Sequence, residues 1–499
     1  MPVLYPYQLQ TIDELDLGFE THLRQIAVLP TGGGKTVLFS EIALRAVTSG
    51  KVVLVLTDRI ELFNSACDAI SGLNIPICKI NKDNNNIYAG AKMFVGMVET
   101  VARRLAKMQG INFDLIIIDE CHRGNFFKIL DAYPNVKTIG FTATPIHKKI
   151  PLYYTNMINV IDIPELVDKG YLVPCHPYQV VDDFSDIETE SDEFDESLLF
   201  NHFNSSKLYD GVIDWYRAVC AGKQTIVFNV NIDHSNKMAA DFNAAGIKSY
   251  SITSKTPDDE RKYILESFAR GDFPVLNNCG ILTTGYNEPT IEAVIVNRAT
   301  KSLALWLQMQ GRGSRICPAI NKKKFIVVDF GMNHGRHGWW DDVRTWSLNP
   351  PDKKKKRNRF VRSSYSISTK DCLKCRAVMS AQAVICRACG HGSGLSTIPK
   401  LSAGILIDLK TKIPVSLVDK HISDLSVIEL VDLQNTGLHT EKSITRVILA
   451  RGASAIAEYA SITGKPDTWI NEQLNTIDAN KKAGIKIAFS NYKIKQVEV

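Results

Sequence analysis

The stretch Leu29-Pro-Thr-Gly-Gly-Gly-Lys-Thr36 follows a short apolar run, Gln25 to Leu29, and precedes Val37 to Val47, whose apolar residues recur at helical spacing. The order is strand, glycine loop, helix. It turns several backbone N–H groups and a helix N-terminus toward one point, which makes an anion site. Three consecutive glycines let the backbone approach that anion with no Cβ in the way. Lys35 adds a mobile positive charge for β and γ phosphates, and the Thr36 hydroxyl can join a magnesium shell. The strict form of this loop has glycine where Leu29 stands. Further on, the apolar run Leu115-Ile116-Ile117-Ile118 ends in Asp119-Glu120-Cys121-His122. A carboxylate at the C-terminal end of such a strand lies where α/β sheets place their ligands. Asp119 can hold magnesium through water, and Glu120 can orient or deprotonate an attacking water. An isolated Asp-Glu pair after a strand is usually a helix start. With the glycine loop upstream, the two stretches read as an ATP hydrolysis site.

One such lobe leaves the γ phosphate half covered, and the chain supplies a second. Thr225 to Asn229, Lys248 to Thr253, Phe273 to Asn277, Ala293 to Asn297 and Lys324 to Asp329 read as strands. Ile232 to Ala245, Asp258 to Ala269 and Leu303 to Gly311 read as helices between them. That alternation predicts a parallel sheet with helices on both faces. Residues 308 to 315 read QMQGRGSR, so Arg312 and Arg315 can leave one helix end together. Two guanidiniums facing a triphosphate from the opposite lobe act as arginine fingers.

The residues quoted resemble superfamily 2 helicases and translocases of the DExH type, over roughly residues 1 to 345. YPYQ (Tyr5 to Gln8) looks like the adenine-reading segment and LPTGGGKT like motif I. VLTDRIEL (55–62) looks like motif Ia, GMVET (96–100) like Ib, DECH like II and TATP (142–145) like III. TIVFN resembles motif IV, TTGYNEP (283–289) V and QMQGRGSR VI. The DNA-repair-type members look nearest, with phage-encoded ones and restriction-enzyme motors among them. The resemblance implies two tandem RecA-like parallel-sheet lobes with ATP in the cleft. It implies Tyr7 and Gln8 at the adenine, and Pro30, Thr31, Gly32, Gly33, Gly34, Lys35 and Thr36 around phosphates and Mg2+. Asp119 would bind magnesium and Glu120 would be the base. His122 would relay to Gln308 across the cleft, Arg312 and Arg315 would complete the transition state, and Gly285 and Asn287 would lie near the ribose. Motif II has Cys121 where many relatives carry alanine, and motif V has Asn287 where Asp is frequent. A nucleic-acid strand lying across both lobes would be gripped by Thr57, Arg59, Thr100, Thr142 and Thr283, through phosphodiester contacts that carry no sequence information.

The boundaries that follow are 1–162 for the first lobe, 163–206 for a linker with an acidic segment, and 207–345 for the second lobe. A basic linker (346–369), a zinc ribbon (370–392) and a mostly helical accessory domain (393–499) come after. Residues 182–196 hold nine acidic residues and no basic one. They read as an exposed segment, or as a flap that mimics nucleic-acid charge. Residues 353–362 hold seven basic residues and no acidic one, as a solvated linker, a phosphate-contacting strap or a nuclear localisation signal. Cys372-x-x-Cys375 and Cys386-x-x-Cys389, ten residues apart, fit four-thiolate tetrahedral zinc of the structural kind. His334 and His337 have no cysteine partners, and loop packing suits them better.

The 499 residues include eleven cysteines, mostly scattered, which suits a reducing cytosol. No signal peptide and no bilayer-crossing stretch is readable, and the net charge is a mild +6. The reading is therefore a cytoplasmic ATP-dependent DNA helicase or translocase (in the host cytoplasm if phage-encoded). It would be a monomer acting on single-stranded, forked or branched DNA, with Zn2+ in its ribbon and a protein partner for its C-terminal module. An RNA helicase, a restriction-system motor subunit and a nucleic-acid scaffold using ATP as a clamp are the alternatives.

Overall fold

The computed structural model describes residues 3–348 except 59, 72–74, 85, 89, 124–125, 181–192, 206–207 and 284, and beyond them 369–371, 378–380, 406–408, 415–435, 439–483, 487 and 494. Arg59 and the four cysteines 372, 375, 386 and 389 lie outside the described residues.

The first lobe is built on seven strands: β1 (Arg24–Val28), β2 (Val53–Thr57), β3 (Ile77–Ile80), β4 (Met93–Met97), β5 (Leu115–Ile118), β6 (Lys137–Thr142) and β7 (Asn156–Ile158). They form one sheet in the order β3-β4-β2-β5-β6-β1-β7, and every pair is parallel. Parallel sheets are covered on both faces, so their strands are apolar without alternation. β5 shows the consequence. Leu115 and Ile117 enter one core with Leu38, Phe39 and Phe141, while Ile116 and Ile118 enter the other with Phe94 and Phe113. Burial of each such side chain contributes roughly 1.5–3 kcal/mol.

The second lobe uses β8 (Cys175–Val180), β9 (Thr225–Asn229), β10 (Ser249–Ile252), β11 (Val275–Asn278), β12 (Ala293–Asn297) and β13 (Phe325–Asp329), all parallel, in the order β10-β11-β9-β12-β13-β8. β14 (Thr369–Asp371) and β15 (Val378–Ser380) pair antiparallel with each other. β16 (Leu406–Asp408) then returns to β8 and closes the second sheet as an antiparallel edge. The chain therefore has two parallel-sheet α/β lobes of the RecA-like type and a helical C-terminal region.

Two boundaries differ from the sequence reading. Residues 175–180, assigned there to the linker, are an interior strand of the second sheet, and 406–408, assigned to the accessory domain, are its edge. His176, Pro177 and Gln179 break the apolar run that marks the other parallel strands. The β8–β16 pair is cemented by His176 Nε2 and the Asp408 carboxylate, 3.0 Å apart, with Asp408 fully buried.

One apolar core runs from the first lobe through Leu166, Leu172 and Val173 into the second, where it includes Phe228, Val296, Leu307 and Trp340. The chain leaving the second lobe doubles back. Trp340 packs edge-on to Phe325 at 5.2 Å, and Trp346 and Leu348 pack on the first-lobe core that contains Val28 and Tyr154. The helices Val427–Asn435, Glu441–Arg451, Ala453–Thr463 and Asp467–Lys482 form a separate core around Leu430, Ile448, Ile456 and Tyr459. No helix among the described residues is long and apolar enough to cross a membrane.

Removing the Asp408 carboxylate leaves His176 without its partner and loosens the last strand. Asp408→Ala is expected to lower the unfolding free energy by about 1–3 kcal/mol, read from chemical denaturation of the full chain.

Candidate functional site

Sheet order places the site. β6 lies between β1 and β5, so the loop after β1 and the acidic pair after β5 emerge about 10 Å apart on the same edge. Both extend the ladder one step past the strands: Leu29 N donates to Thr142 O and Cys121 N donates to Phe141 O, each at 3.0 Å. The loop Pro30–Gly34 then leads into the helix Lys35–Thr48. Gly32 (φ +88°) and Gly34 (φ +75°) adopt the left-handed conformation that a Cβ would strain. Thr36, half-buried, is the second residue of that helix.

Lys35 Nζ spans the gap, 3.4 Å from the Leu29 carbonyl and 3.9 Å from Glu120 Oε1. Glu120 is held there by an unusual backbone, with φ +50° in a residue that is not glycine. Such a conformation costs about 1–3 kcal/mol and persists where the surroundings enforce it. His122 Nδ1 lies 3.2 Å from Glu120 Oε2 and 2.8 Å from the Thr142 hydroxyl, and the Thr144 N–H donates to that hydroxyl at 2.9 Å. Motifs II and III are thus bonded through one histidine. Arg123 pairs with Asp58 at 2.9 Å and ties motif II to the end of β2.

The two carboxylates differ in state. Burial, then the charge of Glu120, pushes Asp119 well above the usual carboxylate range. Burial works against the charge of Glu120 too, but Lys35, then His122 and Arg123, outweigh it and hold the group below that range. Asp119 is 3 % exposed, and its hydrogen bond among the described residues comes from Glu120 N at 3.0 Å. A buried carboxylate without its own cation fits a magnesium ion, which takes oxygen donors such as this carboxylate and the Thr36 hydroxyl. Beneath the pair, Cys121 fits because β6 carries Gly140. A Cβ there would sit 2.6 Å from Cys121 Sγ.

The second lobe meets the glycine loop directly. A Cβ on Gly311 would sit 2.6 Å from Thr31 Cβ, and one on Gly32 would sit 3.2 Å from Ser314 Oγ. The turn that carries Arg312 and Arg315 therefore packs on the phosphate loop. Both guanidiniums donate to the Tyr286 carbonyl of motif V, Arg315 at 3.2 Å. Burial lowers the Arg315 pKa to about 10, against the pull of Glu288 and Tyr286. Gln308, one helical turn before Arg312, has its Nε2 buried without a hydrogen-bond partner, as has the Thr31 hydroxyl. Unsatisfied groups clustered at a seam are ones that water or a phosphate satisfies on binding.

The sequence-predicted residues divide into those gathered at this seam and those elsewhere. Thr31 to Thr36, Asp119, Glu120 and His122 stand on the first lobe's edge, with Gly311 and Ser314 against them. His122 contacts Glu120 and Thr142, and the expected relay to Gln308 is not among its bonds. Tyr7 donates to the Gly33 carbonyl at 3.0 Å, and Gln8 Oε1 accepts from Tyr5 N at 2.9 Å. Gly285 (φ +79°) lies in the motif V loop, and Asn287 there is exposed. Of the expected strand-gripping residues, Thr142 is fully buried and bonded to His122 and Thr144. Thr57 is fully buried with its hydroxyl 3.9 Å from Met97 Sδ, and Thr283 is 3 % exposed with its hydroxyl on Gly280 O. Both face inward for the same reason, a short side chain at a strand or turn end. Thr100 is half-buried on the helix Val98–Arg103.

Sequence reasoning missed a buried polar ladder under motifs IV and V. Asn297 donates to Asn229 Oδ1, Asn229 to Asn277 Oδ1, and Asn277 to Ser249 Oγ, at 3.2, 3.1 and 2.8 Å. His234, which burial pushes down to about 3, closes the row on Asn297 at 3.0 Å. The signal was present: β9, β11 and β12 each end in asparagine. Among the described residues no group of three or more His, Cys, Asp or Glu is placed to hold a metal, and the paired cysteines lie outside them.

Known proteins match this arrangement. The family model described as the res subunit of type III restriction enzymes matches residues 2–147, and the helicase conserved C-terminal domain matches 211–317. A 51.5 kDa protein of a Lactococcus phage is 27% identical over 462 residues, 89% of this chain and 97% of its own length. A putative ATP-dependent helicase of Saccharomyces cerevisiae is 29% identical over 357 residues, 66% of this chain and 51% of its own length. The chain thus spans nearly all of the phage relative and about half of the yeast one. A solved fragment of a putative HsdR subunit of a type I restriction enzyme from Vibrio vulnificus shares the fold, with TM-score 0.55 and 22% identity over 66% of this chain and 65% of that one.

Gly311 has no room for a side chain against Thr31. Gly311→Ala is expected to push the arginine turn off the phosphate loop and lower ATP turnover at least about tenfold. Thr31→Ser in the same chain, which removes the opposing methyl, should recover part of the loss in steady-state ATPase assays.

Proposed function

We propose that this chain is a motor of the superfamily 2 ATP-dependent helicases and translocases, one that moves along or remodels DNA. The carrying observation is the division of the hydrolytic site: glycine loop and carboxylates on one lobe, arginine turn on the other, in contact at Thr31 and Gly311. A site split this way is complete only when the lobes are together, so the nucleotide controls their separation. Both halves stand in one chain, which makes a monomer sufficient.

In this reading the loop amides of Gly32 to Gly34 and Lys35 hold the phosphates. Asp119 and Thr36 would hold Mg2+, which would supply positive charge to the phosphates. Glu120, kept ionised by Lys35, accepts a proton from the attacking water, and His122 fixes its carboxylate against motif III. Arg312 and Arg315 leave the Tyr286 carbonyl to meet charge developing on the γ phosphate, so motif V feels hydrolysis directly. DNA is favoured over RNA because matches extend to restriction-enzyme subunits, whose named activity concerns DNA. The basic run 353–362 supplies a phosphate-binding strap. Cys372, Cys375, Cys386 and Cys389 hold one structural Zn2+ that supplies folding energy to a segment too small for its own core.

ATPase titrations with single-stranded, duplex, forked and four-way DNA, beside matched RNAs, test the reading. DNA is expected to stimulate turnover more than RNA, with steep salt dependence. Lys35→Ala and Glu120→Gln are each expected to lower turnover by at least about a hundredfold, and normal hydrolysis by either would sink the mechanism. Elemental analysis should find one zinc per chain, lost in Cys372→Ser.

A further inference from the structure

Three consecutive residues after the helix Ile163–Asp168 touch three parts of the nucleotide site in turn. The Tyr171 ring lies 4.2 Å from that of Tyr5 and 5.5 Å from that of Tyr7. Leu172 lies on the phosphate loop, where a Cβ at Gly32 would sit 2.9 Å from its Cδ2, and it pairs antiparallel with Arg315. Val173 N donates to Ser314 O at 2.8 Å. The next residue, Pro174, accepts from Phe325 N at 3.1 Å and begins the second lobe's sheet. One short extended segment therefore connects the base end of the cleft to its arginine end.

Part of the polar capacity at the base end is already used. Gln8 is 3 % exposed and its Oε1 holds Tyr5 N at 2.9 Å. The Tyr7 hydroxyl is committed to Gly33. Tyr5, 40 % exposed, and half-buried Tyr171 remain as aromatic surfaces open to a nucleobase. Every base has a π-face, and purines have the larger one, so stacking prefers them without reading hydrogen bonds.

We propose that Tyr171 is a positioning residue: a nucleobase stacked against it fixes Leu172 and Val173, and these set the turn that carries Arg315. Base occupancy then governs turnover as well as affinity. The inference rests on the nucleotide cleft of the preceding section.

The test uses the full chain without nucleic acid, with ATP, CTP and inorganic tripolyphosphate, the last having no base. Tyr171→Ala is expected to raise KM for ATP about tenfold, lower kcat, and bring the ATP-to-CTP ratio of kcat/KM to within about twofold of unity. Tripolyphosphate hydrolysis should be unchanged. Tyr171→Phe should behave as the parent for all three substrates. Tyr171→Leu keeps bulk without a π-face and serves if the alanine variant does not fold. Leu172→Ala should lower kcat for ATP about fivefold while the affinity for a fluorescent ATP analogue stays within about twofold. Equal losses on ATP and tripolyphosphate in Tyr171→Ala, or wild-type selectivity in that variant, would overturn the proposal. Failure of the motor reading shows separately, as hydrolysis that no DNA or RNA stimulates.

Discussion

Everything functional in this structure depends on the turn Gly311–Ser314 lying against the loop Thr31–Gly33. The glycine backbones there lie against side chains, Gly311 against Thr31 and Gly32 against Leu172 and Ser314, and a Cβ at either would crowd them. The glycine at 32 also supplies a left-handed conformation, so it answers two constraints at once. At the loop itself the contact is made by the small residues Thr31, Gly32, Gly311 and Ser314 beside Leu172, while the apolar core that crosses between the lobes adds larger side chains, Leu166, Leu307 and Trp340.

The second constraint is charge. Two adjacent carboxylates in a buried setting cannot both ionise cheaply. The structure resolves this by setting Lys35, His122 and Arg123 around Glu120, while burial and the charge of Glu120 push Asp119 up. The strained backbone of Glu120 is part of that solution, since it aims the carboxylate across toward Lys35 and away from its neighbour. In the proposed mechanism Lys35 would have two tasks, holding phosphate when nucleotide is present and favouring the ionised form of Glu120. The arginines show the converse arrangement. Both guanidiniums donate to a neutral carbonyl, that of Tyr286, and charge-assisted bonds to a phosphate oxygen would be the stronger kind.

Much of this was legible in the sequence, and the exceptions share a physical cause. Strand–loop–helix order around LPTGGGKT and the apolar run before Asp119 marked both halves of the first lobe, because parallel strands buried on two faces are continuously apolar. β8 escaped because His176, Pro177 and Gln179 interrupt that signal, and β16 because a three-residue edge strand has no periodicity to read. Which polar residues bond to one another was not legible. His122 Nδ1 meets the Thr142 hydroxyl at 2.8 Å only because β6 lies beside β5, and no local pattern reports the sheet order. Tyr171 was overlooked for the same reason. Its neighbours in space, Tyr5 and Tyr7, are the whole first lobe away in sequence.

The placement of the chain beyond the second lobe adds a mechanical consequence. Trp340 is fixed to the second lobe through Phe325, whereas Trp346 and Leu348, a few residues on, are fixed to the first. The chain then returns as β16 to the second lobe, locked by the buried Asp408 on His176. Residues 349–405, which carry the basic run and the paired cysteines, are therefore tethered at one end to each lobe. Any change in the distance between lobes alters the span across which that segment is held. The two anchors, Leu348 on the first-lobe core and Leu406 on β8, are thus fixed to different lobes, so a motion that parts the lobes must also part the anchors.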